Sequence, residues 1–168
     1  LPALTVDISA VFSAGTYQLS NILVEASSQL GLSGPVLAAW FSGGSNGGST
    51  ANIYYAESPV GDGINWTRKV AEVITGFANP FVIKNGSTYY LCCQAGPTQG
   101  VTPIALYTST DRINWVQQST TILSKGGAGA WDEVFFFDFQ PIAIINGTWY
   151  ALYTGGASGG NVLSPGLA

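Results

Sequence analysis

The chain contains no histidine and no methionine. Without histidine, a Ser-His-Asp triad cannot form within it, and the commonest metal ligand is missing. Cysteine is limited to Cys92 and Cys93. Strand neighbours point to opposite faces, so this pair reads as two small buried hydrophobes rather than a disulfide, and no C-x-x-C spacing suggests a metal or redox role. Charge is sparse, at 8% of residues, with a net value of −4 and no basic run. Nucleic acid and anionic membranes are therefore not expected partners, since both need clustered cations. No apolar stretch approaches the roughly 18 residues of a membrane span, and Val134-Phe135-Phe136-Phe137 is far too short. The run Gly43-Gly44-Ser45-Asn46-Gly47-Gly48 lacks the Lys-Ser/Thr of a phosphate loop and reads as a hairpin tip. No signal peptide is visible, and the first residue is Leu1, which fits either a processed product or a missing start. Nothing in the pattern asks for a metal or a cofactor.

What is present is glycine, 22 residues, and 46% hydrophobic residues in short runs separated by Gly, Ser, Asn and Pro. That is the composition of an all-β protein rather than of a disordered one. One pattern occurs twice. Residues 82–91 read VIKNGSTYYL and residues 143–152 read AIINGTWYAL. Each is a β-hairpin with an Asn-Gly turn, for which a tight I′ turn with positive φ at both central residues is expected. The stretches start at Pro80 and Pro141, about sixty residues apart. The spacing shortens by one past the turn, because Ser87-Thr88 faces Thr148 alone. Both Asn-Gly pairs, and Asn65-Trp66-Thr67, also spell glycosylation acceptors. The repeat explains them as turns, and the acceptor at Asn65 is absent from the matching Asn114-Trp115-Val116.

A second repeated element follows the hairpins: DGINW at residues 62–66 and DRINW at 111–115. The Asp suits a side-chain-stabilised turn and the Trp suits packing between sheets. Together the pieces form a four-stranded unit of roughly 50–60 residues, the period of a β-propeller blade. The expected organisation is one propeller-like domain over residues 1–168, with units at about 17–75, 76–130 and 131–168. A propeller closes with about four or more blades, so the expected ring is incomplete. Further blades are expected from a longer chain or from other subunits.

The stretches NPFVIKNGSTYYLCCQAG, IALYTSTDRINW and GAWDEVFFFDFQPIAIINGTWYALYTGG resemble the five-bladed propeller glycosidases of glycoside hydrolase families 43 and 32. The resemblance covers about residue 21 to the end and implies glycoside hydrolysis at an axial funnel by two carboxylates. In that family the acids stand just before the proline of the innermost strands. Here those places hold Asn79 before Pro80 and Gln140 before Pro141, with no carboxylate at either.

Among the nine acids, Asp62 and Asp111 are turn residues by the repeat, Glu57 is expected to be exposed near a strand end, and the role of Asp7 is unreadable. Asp138, set among Phe135, Phe136, Phe137 and Phe139, is the candidate general acid, because burial among aromatics raises a carboxyl pKa. Glu133 is the second catalytic candidate. Trp131 beside Asp132 can stack on a sugar ring while carboxylates bind its hydroxyls. Asn79, Gln140, Trp131 and Asp132 are thus the candidate substrate contacts. Two functional readings stand: a carbohydrate-active propeller that binds or hydrolyses an extracellular polysaccharide, and a non-catalytic glycan-binding or structural module of a surface or virion assembly. Both place the protein outside the cell, at a cell surface or on a virion.

Overall fold

The structure is a computed structural model. It describes residues 16–25, 36–44, 51–59, 65–95, 102–156 and 164–167, and of residues 16–25, 44, 137, 138 and 164–167 the backbone alone. Asp7 and Asp62 lie outside the described residues.

All regular structure among these residues is antiparallel β-sheet. The first sheet runs β1 (Thr16–Glu25), β2 (Val36–Gly44), β3 (Asn52–Pro59), β4 (Thr67–Arg68), with β5 (Ile74–Thr75) also paired to β3. The second runs β6 (Phe77–Asn85), β7 (Thr88–Ala95), β8 (Ile104–Ser109), β9 (Val116–Leu123). The third runs β10 (Phe135–Ile145), β11 (Thr148–Gly156), β12 (Ser164–Leu167). Three successive antiparallel meander sheets of this kind fit an all-β, propeller-like fold. Among the described residues no helix is long and apolar enough to cross a membrane.

The two Asn-Gly hairpins turn out to use different turns. In the second, Asn146 and Gly147 have φ of 51° and 79° between the paired Ile145 and Thr148, the I′ pattern expected. In the first, Asn85 pairs with Thr88 and belongs to the strand, so the turn is Gly86-Ser87. Only Gly86 has positive φ, at 60°, which is the II′ pattern with glycine in the first central place.

The sheets stack face to face. The core between the first and second holds Ala38, Trp40, Ile53 and Tyr55 against Val82, Tyr89, Leu91, Cys93, Ala105 and Tyr107. The core between the second and third holds Cys92 and Ile104 against Phe136, Phe139, Ala151 and Tyr153. Alternation along β7 explains the split: Tyr89, Leu91 and Cys93 face one neighbour, and Cys92 the other. The cysteines are unpaired and buried. Burial pushes Cys92 up to about 12, and burial followed by the charge of Cys92 raises Cys93 well above the usual thiol range. Native protein is therefore expected to resist a thiol-exchange reagent at pH 8, with both thiols reacting only as the chain unfolds; rapid labelling of native protein would contradict the burial.

The Asp turn of the second sheet is a self-contained staple. Asp111 Oδ1 accepts from the backbone N–H groups of Ile113 and Asn114 and from the Ser109 hydroxyl, and Oδ2 accepts from the Asn114 side chain. Ser109 Oγ in turn accepts from the N–H groups of Asp111 and Arg112, and Trp115 Nε1 donates to the Arg112 carbonyl. Partial burial alone would raise the Asp111 pKa, but these hydrogen bonds, led by those from Asn114, outweigh it and hold the acid at about 2 against the ordinary 3.8. A carboxylate whose folded pKa is depressed contributes its stability above the unfolded value and loses it as pH falls through the folded one. Asp111→Ala is thus expected to be destabilising at pH 6, with the gap from the parent closing as pH falls from about 4 to about 2, read by urea denaturation.

Candidate functional site

The site is built on the first strand of each sheet. β6 lies against β1 and β2 on one side and against β10 on the other, so the first strands of the three sheets are neighbours. Each carries a bulge. In β6, Ala78 pairs with Gln94 and Phe81 with Cys92, which leaves Asn79 and Pro80 to span one place too few. In β10, Phe137 pairs with Thr154 and Gln140 with Leu152, leaving Asp138 and Phe139 in the same situation. In β1, the extra residue is Ser20, between Leu19 and Asn21. Bulges re-aim side chains and recur beside functional sites.

This register corrects the alignment drawn from the prolines. Pro80 and Pro141 look equivalent in sequence, which equates Asn79 with Gln140. The hydrogen-bonded frame equates Asn79 with Asp138 and Phe81 with Gln140. The discrepancy arises because β10 has a second bulge, at Ile142 between Pro141 and Ala143, which β6 lacks. The burial pattern agrees: Pro80 and Phe139 are both buried, as are Val82 and Pro141. The residue in the bulge of β10 that matches Asn79 is therefore Asp138.

Asn79 has φ of 52°, a left-handed conformation that only short polar side chains and glycine adopt readily, and its Oδ1 is buried without a hydrogen-bond partner among the described residues. Gln94, opposite Ala78 and 1% exposed, ties this end of β6 to the start of β10. Its Nε2 donates to the carbonyls of Phe136, at 3.3 Å, and Thr102, at 3.1 Å. Gln94 is a positioning residue that the sequence reading did not single out; a lone glutamine ending the buried run Leu91-Cys92-Cys93 was the available signal.

The loop leading into β10 carries the other candidates. Trp131 is 40% exposed, with its ring 5.3 Å from that of Tyr153. Asp132 is buried, and its Oδ2 accepts from the Tyr153 hydroxyl at 2.9 Å. Burial, then that hydrogen bond, pushes Tyr153 up to about 12. Gly155 is obligatory below this pair, since a β-carbon there would stand 2.6 Å from Asp132 Cβ and 2.7 Å from the Trp131 ring. Glu133 Oε2 accepts from the Gly129 N–H and closes the loop on itself. Val134 N–H bonds to the Gly156 carbonyl, at the end of β10 where the bulge lies. Asp132 and Glu133 thus hold the loop, Trp131 presents an apolar ring to solvent, and Gln140 is exposed beyond the bulge. Among the described residues no three His, Cys, Asp or Glu gather as a metal site.

Glu57 overturns its expected exposure. It is fully buried between the first and second sheets, 3.5 Å from Arg112 Nη2 and 3.6 Å from Lys69 Nζ, and accepts the Tyr55 hydroxyl at 2.5 Å. Burial, then that hydrogen bond, raises Tyr55 well above the usual phenol range. This acid is committed to the interface between the sheets.

The fold these sheets define is that of propeller-type carbohydrate-active enzymes. Zg3597, a family 117 glycoside hydrolase of the marine bacterium Zobellia galactanivorans, superimposes with a TM-score of 0.63 at 17% identity, over 91% of this chain and 57% of that one. A β-1,2-mannobiose phosphorylase from Listeria innocua gives 0.58 at 17% identity, over 88% and 39%. The Bombyx mori family 32 β-fructofuranosidase BmSUC1 gives 0.55 at 18% identity, over 79% and 31%. The chain thus spans between about a third and three-fifths of these structures. At such identities the likeness is one of fold. No protein-family model matches the sequence, and no curated protein matches it.

Proposed function

We propose that this chain forms part of a carbohydrate-active propeller and binds an extracellular polysaccharide at the bulged end of its first strands. The observation that carries this reading is the register, which sets Asp138 in the β10 bulge as the counterpart of Asn79 in β6. Trp131 in the loop before β10 supplies a face on which a sugar ring can stack, and the exposed Gln140 and the bulge residues Asn79 and Asp138 are the polar residues of the same strands that would serve its hydroxyls. The similar folds include enzymes whose names specify glycosides as substrates.

Hydrolysis needs two carboxylates across the scissile bond. The three bulges offer Ser20, Asn79 and Asp138, a single acid. This favours a binding role for the chain by itself, with Asp138 as the acid it contributes and a second carboxylate drawn from further blades. The test is a titration of the protein with a panel of neutral and acidic oligosaccharides, followed by release of reducing ends. Binding is expected without release, and Trp131→Ala is expected to weaken it about tenfold, the loss of one stacking platform. A folded protein that binds no member of the panel would refute the proposal.

A further inference from the structure

The tryptophans of the two Asp turns occupy matching places. Trp66 packs with Ala39, Phe41 and Ala56 on the face of the first sheet that looks away from the second. Trp115 packs into the core between the first and second sheets, edge-on to Trp40 at 6.3 Å and 82°. Each turn tryptophan therefore lies on the side of its own sheet that faces the preceding unit. By the same rule a third one belongs between the second and third sheets.

The register carries the surroundings of Trp115 one sheet onward. Trp40 pairs with Tyr55 as Cys92 pairs with Leu106, and Tyr89 and Leu91 follow their hairpin turn as Trp149 and Ala151 follow theirs. Trp40 is flanked by Tyr55 at 5.0 Å and Tyr89 at 6.4 Å, so the corresponding slot lies between Leu106 and Trp149. The structure has a cavity there. It measures about 230 Å³, is partly open to solvent, and is lined by Leu106, Ile122, Leu123, Phe139, Trp149 and Ala151. An apolar cavity of roughly 150 Å³ holds benzene, so this one has room for a bicyclic ring.

We infer that this cavity is the seat of an indole ring, delivered by a turn-and-strand segment of the Ser-x-Asp-x-x-x-Trp type whose strand, following the tryptophan as β9 follows Trp115, pairs with the outer edge of β12. Among the described residues β12 pairs only with β11, which leaves that edge for the incoming strand. A second copy of the chain is a poor donor. Trp66 is buried in its own core and Trp115 is partly buried in its own, while the largely exposed Trp131 is not part of such a turn. The inference rests on the repeat and is independent of the sugar-binding reading.

The test uses the purified chain with free indole, followed by thermal melting and ligand-detected NMR, and with a synthetic peptide of the sequence of residues 109–123, the Asp turn and the strand after it. A saturable rise in melting temperature with indole is expected. Leu123→Trp and Ala151→Phe, which fill the cavity from β9 and β11, should weaken indole binding at least tenfold in variants whose circular dichroism is unchanged. Ala151 is deeply buried and Leu123 is on an edge strand, so the second of these stands if the first fails to fold. The peptide should bind, and its counterpart with alanine for tryptophan should bind at least tenfold more weakly. No indole effect, an effect equal in parent and cavity-filled variants, or a dimer of the chain that indole dissociates would each overturn the assignment.

Discussion

Replacing Trp40 with alanine is expected to destabilise the protein by about 4 kcal/mol and to lower its melting temperature by roughly 8–16 °C. The side chain is fully buried at the centre of the core between the first and second sheets. Its ring meets Tyr55, Tyr89 and Trp115, one contributor from β3, one from β7 and one from the Asp turn of the second sheet. Truncation leaves a void that rings from three separate elements would have to fill, and rigid aromatics collapse poorly. Trp40 Nε1 has no hydrogen-bond partner among the described residues, so phenylalanine sacrifices no polar contact seen there. Trp40→Phe should accordingly cost about 1–2 kcal/mol, the price of lost volume alone. Urea denaturation of the two variants checks the ordering, and a Trp40→Ala loss below about 1 kcal/mol would show that the sheets are not held at this point.

The second large effect is expected at Arg112. Its side chain is 1% exposed, lies over the rings of Tyr55 and Tyr89 at 6.0 and 5.9 Å, and neutralises the fully buried Glu57. Removing one partner of a buried ion pair strands the other, so Arg112→Ala should cost about 3 kcal/mol, towards the lower end for such pairs because Lys69 still stands 3.6 Å from Glu57. The backbone adds a second expectation. Arg112 has φ of 73°, and the matching residue of the first Asp turn is Gly63. Arg112→Gly relieves that conformation while Arg112→Ala does not, so glycine should be the milder change by about 1 kcal/mol. A double-mutant cycle with Glu57→Gln should return a coupling of at least about 1 kcal/mol, and additivity would mean that the two groups do not sense each other.

Much of the architecture was legible because it is local. The Asn-Gly pairs and the alternation around them locate the hairpins that become β6–β7 and β10–β11. What was not legible depends on contacts between units or on register. Glu57 looked like a strand-end acid, and its buried fate is decided by an arginine 55 positions later (112 − 57) on the neighbouring sheet. A bulge inserts a residue without altering the alternation of letter types, so the prolines suggested the wrong partner for Asn79. Asp138 was singled out for its aromatic neighbours, and the pairing frame supplies a different reason, its position in the β10 bulge. The first hairpin shows the same limit at small scale: the letters Asn-Gly are shared, but the strand ends one residue later and the turn changes type.

β7 has a further property that follows from its two-sided burial. Its sequence, Tyr89-Tyr90-Leu91-Cys92-Cys93, doubles the residue at two of its places. A slip of one residue along β6 and β8 would keep tyrosine at one place and cysteine at another and would put a tyrosine or a cysteine in the buried Leu91 place, so apolar side chains would still fill most of these places. The discrimination falls to the strand's two ends. Gly86 can supply the positive φ of the hairpin at only one phase, and Gln94 would lose its carbonyl partners Phe136 and Thr102 if it moved to the opposite face. The side-chain contacts of Gln94, on β7, are thus the polar ones that a shifted threading of the central sheet would lose. The same polar contacts that lie at the candidate site favour one alignment of the strand that both cores share.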